Sequence, residues 1–261
     1  MQTTEKIKLL ENAGVNLDFF GEFRPLRERI FGFFEQKLAT MTKANGFNFD
    51  LGAEVFRGFL PPVDFEILPA TGYIPRGEDS INLYGNHQTL ALTVEVQGIA
   101  KIESIPPPQL VELIYADILE AVLGNTWTLN FDSGGTYKAT VGKYIVGQTS
   151  RATGYIGGVS LSSGAWTAGT AAGVFTLRRV VGEFLDDEPI DLGSNDDIAT
   201  VDGAATALSA LITTTGGLAD GITVASAQPQ FPNQDELSAG VNVEFLINYK
   251  RVAGNPYNQT N

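Results

Sequence analysis

The sequence predicts an α+β fold, in which helices pack on one face of an antiparallel sheet and an all-β module interrupts the chain. Two segments have helical periodicity, and two others alternate strictly between apolar and polar residues. Residues 128–193 instead contain short apolar stretches separated by glycine, serine and threonine, which favours a small sandwich or barrel. We therefore expect a discontinuous α+β domain, residues 1–127 and 194–261, with an inserted β module at 128–193.

The two predicted helices have clear starts and ends. The first begins at Pro25, which suits a first helical turn, and its apolar residues recur every three or four positions as far as Met41. An Asn-Gly pair ending at Gly46 is typical of a helix C-terminus. The second helix follows the prolines at 106–108 and is closed by Gly124. Its predicted apolar face comprises Leu110, Leu113, Ile114, Ile118, Ala121 and Val122.

Alternation defines the predicted strands. Residues 89–97 place four aliphatic side chains on one face and polar ones on the other, and residues 241–250 repeat that pattern. Shorter strands are expected at 53–59 and 63–73. The stretch 72–86 is rich in glycine, proline, asparagine and charge, so we expect an exposed loop. A return helix is expected within 196–214, and its assignment to the domain or the module stays open.

The charge of the chain is unevenly distributed. The net charge of the 261 residues is −13. Residues 1–179 hold 15 basic and 18 acidic residues, whereas residues 180–261 hold 2 basic and 12 acidic ones. Such a segment repels a phosphate backbone, because duplex binding depends on Lys and Arg. It forms either a solvated acidic face that aids solubility or a surface that lies near nucleic acid without gripping it.

The sequence offers little catalytic or metal-binding chemistry. It has no cysteine and a single histidine, His87, which we expect in a surface loop. The acidic residues from Asp186 to Asp191 do not have calcium-loop spacing, so an exposed turn is expected. Glycine-rich stretches such as 154–158 lack the ending of a phosphate loop. We therefore expect that the protein is not an enzyme and that it has no catalytic residue, no cofactor and no metal site.

The segments with the most distinctive motifs occur in a fixed order. They are LATMTKANGFNFDLG (38–52), VFRGFLPP (55–62), TLALTVEVQGIA (89–100), PPQLVELIYADILEAVL (107–123), GGLADGITV (216–224) and VNVEFLINYKRVAGNPY (241–257). Together they resemble the tail terminator proteins of long-tailed bacteriophages. The final Gly-Asn-Pro-Tyr has Asn where that family has Asp. The block 152–184, with Arg151 in place of a usual glycine, resembles a small β module embedded in phage structural proteins.

The resemblance implies a structural virion protein. Tail terminators form homohexameric rings that cap the tail tube, end its polymerisation and join it to the head–neck connector or stopper protein. The expected location is the head-proximal end of the tail, after assembly in the host bacterial cytoplasm. Genomic DNA would pass through the ring without specific binding. No membrane partner is expected, because no apolar run reaches the roughly 18 residues of a transmembrane helix.

Two alternatives remain open. One is another neck or tail role, as a head-completion stopper or a tail-tube protein. The other is a carbohydrate- or surface-binding protein, in which the β module exposes Trp166 and Tyr155. A module of this size needs a large apolar anchor, so Trp166 is also a candidate core residue. The exposure of these two side chains separates the binding hypothesis from the structural one.

Overall fold

The computed structural model describes residues 24–58, 67–135, 137–193, 195–231 and 237–257. Strands dominate it: 49 % of the molecule is strand and 19 % is helix. The strands form a closed six-stranded barrel and a second, five-stranded sheet. The predicted α+β class is therefore wrong. Segments without long local periodicity form strands here, because strands at distant sequence positions supply their hydrogen-bond partners.

The described residues contain three α-helices: α1 (Leu26–Leu38), α2 (Pro107–Leu123) and α3 (Ala210–Thr215). Helix α1 ends at Leu38, earlier than predicted, and a 3-10 turn follows over Lys43–Asn45. Gly46, at φ +83°, closes that turn in the left-handed conformation. The predicted apolar face of α2 is largely confirmed, since five of its six members are buried. Leu113 is the exception and is half-buried.

The strands of the described residues are, in chain order, β1 (Val55–Arg57), β2 (Ala70–Tyr84), β3 (His87–Lys101), β4 (Thr126–Gly134), β5 (Tyr144–Gly147), β6 (Thr153–Ser163), β7 (Ala171–Val181), β8 (Pro189–Leu192), β9 (Asn195–Val201), β10 (Thr206–Leu208), β11 (Gly221–Gln230) and β12 (Ser238–Val252). The five-stranded sheet has the order β1-β2-β3-β12-β11. All its neighbours are antiparallel except β1 and β2. We call this sheet and the three helices the body.

The alternation predicted for the two long strands is confirmed. Strands β3 and β12 pair along their full length, from His87 opposite Val252 to Lys101 opposite Ser238. Their apolar residues are buried on one face, where they share a core cluster with α1 and α2. The polar residues lie half-exposed on the other face. We call this second side the open face.

The loop predicted at 72–86 is wrong, because β2 runs through most of it. Strand β2 pairs with β3 almost to the tip of their hairpin, with Tyr84 opposite His87. Register shifts occur between Pro75 and Glu78 and again between Ser80 and Asn82. Proline and glycine are tolerated here because, among the residues that the structure describes, no strand other than β1 pairs with the outer edge of β2. The first four residues of the predicted strand at 63–73 lie outside the described residues.

The barrel has the strand order β4-β7-β6-β5-β8-β9, and pairing of β4 with β9 closes it. Phe131 opposite Val201 is one of the closing pairs. Short β10 pairs with the start of β4. Barrel strands thus extend from residue 126 to 201, past the predicted module limit of 193. The return helix predicted within 196–214 is limited to α3, because β9 and β10 occupy most of the rest of that segment.

Aromatic stacking fills the barrel. Phe131 stacks on Phe175, with 4.1 Å between ring centroids, and on Trp166, with 5.3 Å. All three rings are buried, within a core cluster separate from that of the body. The body and the barrel therefore each have their own hydrophobic core, as expected of units that each bury apolar surface independently.

Candidate assembly surface

The five-stranded sheet ends on one side in an uncharged strand. Strand β11 pairs with β12 only, so its other backbone edge has no strand partner among the described residues. None of its ten residues is charged, and most are exposed. Phe231 follows directly and is 54 % exposed. Long edge strands are usually protected by charge, proline, bulges or a covering element. Strand β11 has no charge, although Pro229 and a register shift between Val224 and Ser226 interrupt it, so the stretches beside these irregularities can accept another strand.

The opposite side of the sheet is only partly covered. Strand β1 pairs with β2 at Thr71–Tyr73 and no further. Beyond Pro75, the outer edge of β2 has no strand partner in the described part of the chain. This stretch exposes Ile81 by 57 %, Leu83 by 61 % and Tyr84 by 83 %. We call the outer part of the β2–β3 hairpin, residues 76–88, the arm.

The base of the arm is held by polar contacts to β12. The Tyr249 hydroxyl donates to the carboxylate of Glu78, and the Arg251 guanidinium lies 3.1 Å from the same carboxylate. Burial and the hydrogen bond to Glu78 raise the pKa of Tyr249, so it stays a neutral donor at ordinary pH. The arm therefore projects from the sheet as a fixed extension of it.

The open face carries charges that have polar or charged partners. Glu95 on β3 lies opposite Glu244 on β12. Arg76 donates to Glu95 through Nε at 2.8 Å, and the Ser226 hydroxyl donates to Glu244. Two carboxylates at directly opposed positions repel each other unless such partners offset them. The face is thus polar and presents carboxylates and amides, with its arginine engaged by a glutamate.

Two segments that carry the resemblance contact each other. Asp117 on α2 is fully buried and accepts hydrogen bonds from the backbone N–H groups of Asn48 and Phe49, at 3.0 and 3.1 Å. The Asn48 side chain donates to the same carboxylate at 2.8 Å. The loop after α1 is therefore fixed on α2. No local pattern in the sequence indicates that this aspartate is a structural anchor.

The acidic C-terminal half does not form a single surface. Eight of the twelve acidic residues that follow Arg179 lie between Glu183 and Asp202, on the barrel strands and their connections. Of the others, only Glu244 is on the open face within the described part of the chain. The base-free stretch therefore gives its charge mainly to the barrel.

The acidic turn at 186–191 is a structural element. Glu188 is buried, contrary to the prediction, and accepts hydrogen bonds from Thr149, Ser150 and Leu185. Asp186 accepts from a backbone N–H and Asp191 from a glutamine amide, each in a different direction. Among the described residues, no group of three His, Cys, Asp or Glu side chains is placed to hold a metal ion.

The remaining candidate residues have structural positions. Trp166 is 6 % exposed and Tyr155 is 4 % exposed, so neither ring offers a face for sugar stacking. Tyr155 instead contacts the body at Gly46, where a Cβ would lie 2.0 Å from its ring. His87 is exposed, at the hairpin end of the arm, where it begins β3 rather than lying in a loop.

Sequence reasoning missed the junction between body and barrel. The Arg178 guanidinium of β7 lies over the rings of Phe47 and Tyr155, at 4.4 and 5.1 Å. Arg179 donates to Glu120 on α2, and Arg178 lies 3.3 Å from the same carboxylate. The Arg-Arg pair was visible in the sequence, but its partners are about 60 and 130 residues away along the chain, so no local pattern reveals them.

A scan of protein-family models and a search of curated proteins return no match for this chain. In the part of the chain that the structure describes, no helix combines the length and the apolarity that a membrane crossing requires.

Proposed function

We propose that this protein is a phage tail terminator, a structural subunit of a homohexameric ring that caps the tail tube and joins it to the head–neck connector. The ordered motifs described above support the family, and the two segments around Asn48 and Asp117 pack on each other. The proposal assigns no catalytic residue. The ring would lie at the head-proximal end of the tail.

The observation that carries the proposal is the pair of different free edges on one sheet. Strand β11 offers an uncharged edge on one side, and the arm offers an edge with the exposed side chains of Ile81, Leu83 and Tyr84 on the other. A contact between unlike edges is head-to-tail, and head-to-tail contacts close into rings when the rotation between copies permits it. Each added copy would pair the arm of one subunit with β11 of the next.

The open face fits a surface that DNA passes without binding. A duplex is held by Lys and Arg side chains that neutralise its phosphates. On the open face, Arg76 is engaged by Glu95, Lys250 lies 3.3 Å from Asp220, and Glu244 adds negative charge. Subunits joined through their sheet edges would turn the same face toward the ring axis, where such a surface offers phosphates little attraction.

The proposal is tested by the mass and shape of the purified protein. Native mass spectrometry and negative-stain electron microscopy should show closed rings of six copies, and the rings should bind one end of isolated tail tubes. Open filaments would identify a tail-tube protein instead, and a monomer that stays monomeric on tail tubes would contradict the proposal. Localisation by cryo-electron microscopy at the head-proximal end of the tail completes the test.

A further inference from the structure

A cleft lies where the body meets the barrel. Its volume is about 350 Å³, and it is lined by Lys37, Thr40 and Asn45 from the body and by Thr126, Gly157, Thr176 and Arg178 from β4, β6 and β7. Both units contribute walls, so the cleft exists only when they are joined. It adjoins the stacking of Arg178 on Phe47 described above and is separate from the free sheet edges.

Among the described residues, only one of the two cations of this cleft, Arg178, has an acidic partner. No carboxylate of the described residues lies within salt-bridge distance of Lys37. Arg178 makes no side-chain hydrogen bond to the described chain, and its Nη2 is fully buried without an acceptor. The one nearby carboxylate, on Glu120, is shared, because one oxygen accepts from Arg179 and the other lies 3.3 Å from Nη1 of Arg178. A buried guanidinium N–H that stays without an acceptor costs free energy.

The electrostatic environment supports the same conclusion. Burial, followed by repulsion from Arg178, lowers the pKa of Lys37. Burial also lowers the pKa of Arg178. Two like charges are thus held close together in a protein whose net charge is −13. An anion between them would relieve both the repulsion and the missing hydrogen bonds.

Neutral groups complete the site. The hydroxyls of Thr126 and Thr176 have no hydrogen-bond partner among the described residues, so both can donate to an anion. At Gly157 a Cβ would lie 3.4 Å from Nε of Arg178, so the glycine keeps that side of the guanidinium accessible. A planar guanidinium, an ammonium and hydroxyls together are the groups that bind phosphate and carboxylate oxygens.

We propose that the cleft between body and barrel binds a small oxyanion, a phosphate or carboxylate group, through Lys37 and Arg178 with help from Thr126 and Thr176. The bound group would also connect the two units, because Lys37 belongs to α1 and the other three residues to barrel strands. Its ligand is either a free phosphate compound or a carboxylate, which share the same oxygen chemistry.

The test measures binding of inorganic phosphate and of acetate to the full-length protein, by calorimetry and by thermal unfolding at matched ionic strength. We expect saturable binding of one of them and a rise of about 3 °C in Tm near saturation. Lys37→Met should weaken binding at least tenfold, and Thr176→Val, which keeps the side-chain shape, should weaken it several-fold. Lys138→Met, at an exposed barrel position, is the matched control.

Each outcome of these binding measurements either supports or contradicts the proposed site. Preference for phosphate or for acetate, lost in Lys37→Met and kept in Lys138→Met, supports the site and identifies its ligand class. Absence of saturable binding by either anion, or binding that survives Lys37→Met unchanged, overturns the proposal. Circular dichroism spectra of the variants verify their folding, and Thr176→Val provides a second reading if Lys37→Met loses structure.

Discussion

At the scale of single residues, Glu188 shows how a buried charge organises the barrel. Its carboxylate accepts from the backbone N–H groups of Thr149, Ser150 and Leu185 and from the Ser150 hydroxyl, at 2.7 to 3.1 Å. We expect Glu188→Ala to reduce the free energy of unfolding by about 3 kcal/mol, because several buried donors lose their acceptor. Urea unfolding measures this, and a change within about 0.5 kcal/mol, typical of surface sites, would show that the carboxylate is dispensable.

The same residue predicts a pH dependence. Burial opposes ionisation, but the hydrogen bonds outweigh it, so the pKa of Glu188 lies below its usual 4.5. Its stabilisation is therefore complete above the pKa of the unfolded chain and disappears as the pH falls through the lower pKa of the folded state. Glu188→Gln should flatten the loss of stability below about pH 4.5. The exposed Glu183→Gln is the control, and identical slopes in all three proteins would contradict the prediction.

Gly46 gives a residue-scale test of the junction. Its φ is +83°, and a Cβ there would lie 2.0 Å from the Tyr155 ring. Gly85 has a similar φ of +61° with nothing near its Cβ position, so Gly85→Ala measures the backbone cost alone, about 1–2 kcal/mol. We expect Gly46→Ala to cost about 1–3 kcal/mol more in chemical unfolding, because Tyr155 must move. Equal costs would mean that the contact between body and barrel is loose.

At the scale of elements, the free edge of β11 carries the prediction for assembly. Ala227 is exposed on this uncharged strand. A lysine at an edge strand disfavours pairing with another strand, so Ala227→Lys should lower the fraction of hexamer in native mass spectra. Ala168→Lys is the same exchange at an exposed position of the barrel, in the 3-10 turn Trp166–Ala168, and it should leave the hexamer unchanged. Equal hexamer fractions in both variants would exclude β11 from the interface.

At the scale of the whole molecule, the body and barrel are joined by short connections. The Ala210 N–H donates to the side chain of Asn125 at 3.1 Å, so the chain leaves and re-enters the body at nearly one point. Replacing residues 126–208 by a short Gly-Ser linker should leave a folded body that still forms hexamers. The buried hydrogen bond from Thr214 to Val122 continues to hold α3 on α2.

Circular dichroism and native mass spectrometry check the deletion. A folded monomer would show that the barrel takes part in the ring interface, and an unfolded chain would show that the body needs the barrel core. Because the two units have separate hydrophobic clusters, we expect neither of these two outcomes. The full-length protein with Ala168→Lys serves as the reference for an intact barrel with an altered surface.

The sequence by itself determined those elements whose pattern is local. The alternation at Leu90–Val96 and at 241–249 defined β3 and β12 and the buried face of each, and helical spacing defined α2 closely. In these elements, each residue's environment follows from its position relative to near neighbours in the chain. The regular spacing of apolar and polar residues was therefore sufficient to predict these elements, without knowledge of the partner strands.

The tertiary structure decided what depends on distant partners. The barrel closes because Phe131 meets Val201, 70 positions later, and β2 continues through Pro75 because β3 supplies its ladder. Glu188 and Trp166 are both buried and have structural roles. In the sequence, the acidic residues around Glu188 indicated an exposed turn, and Trp166 was a candidate for either a binding surface or the core. Hydrogen-bond partners and burial in a sheet are set by chain segments far apart in sequence, so no local pattern could reveal them.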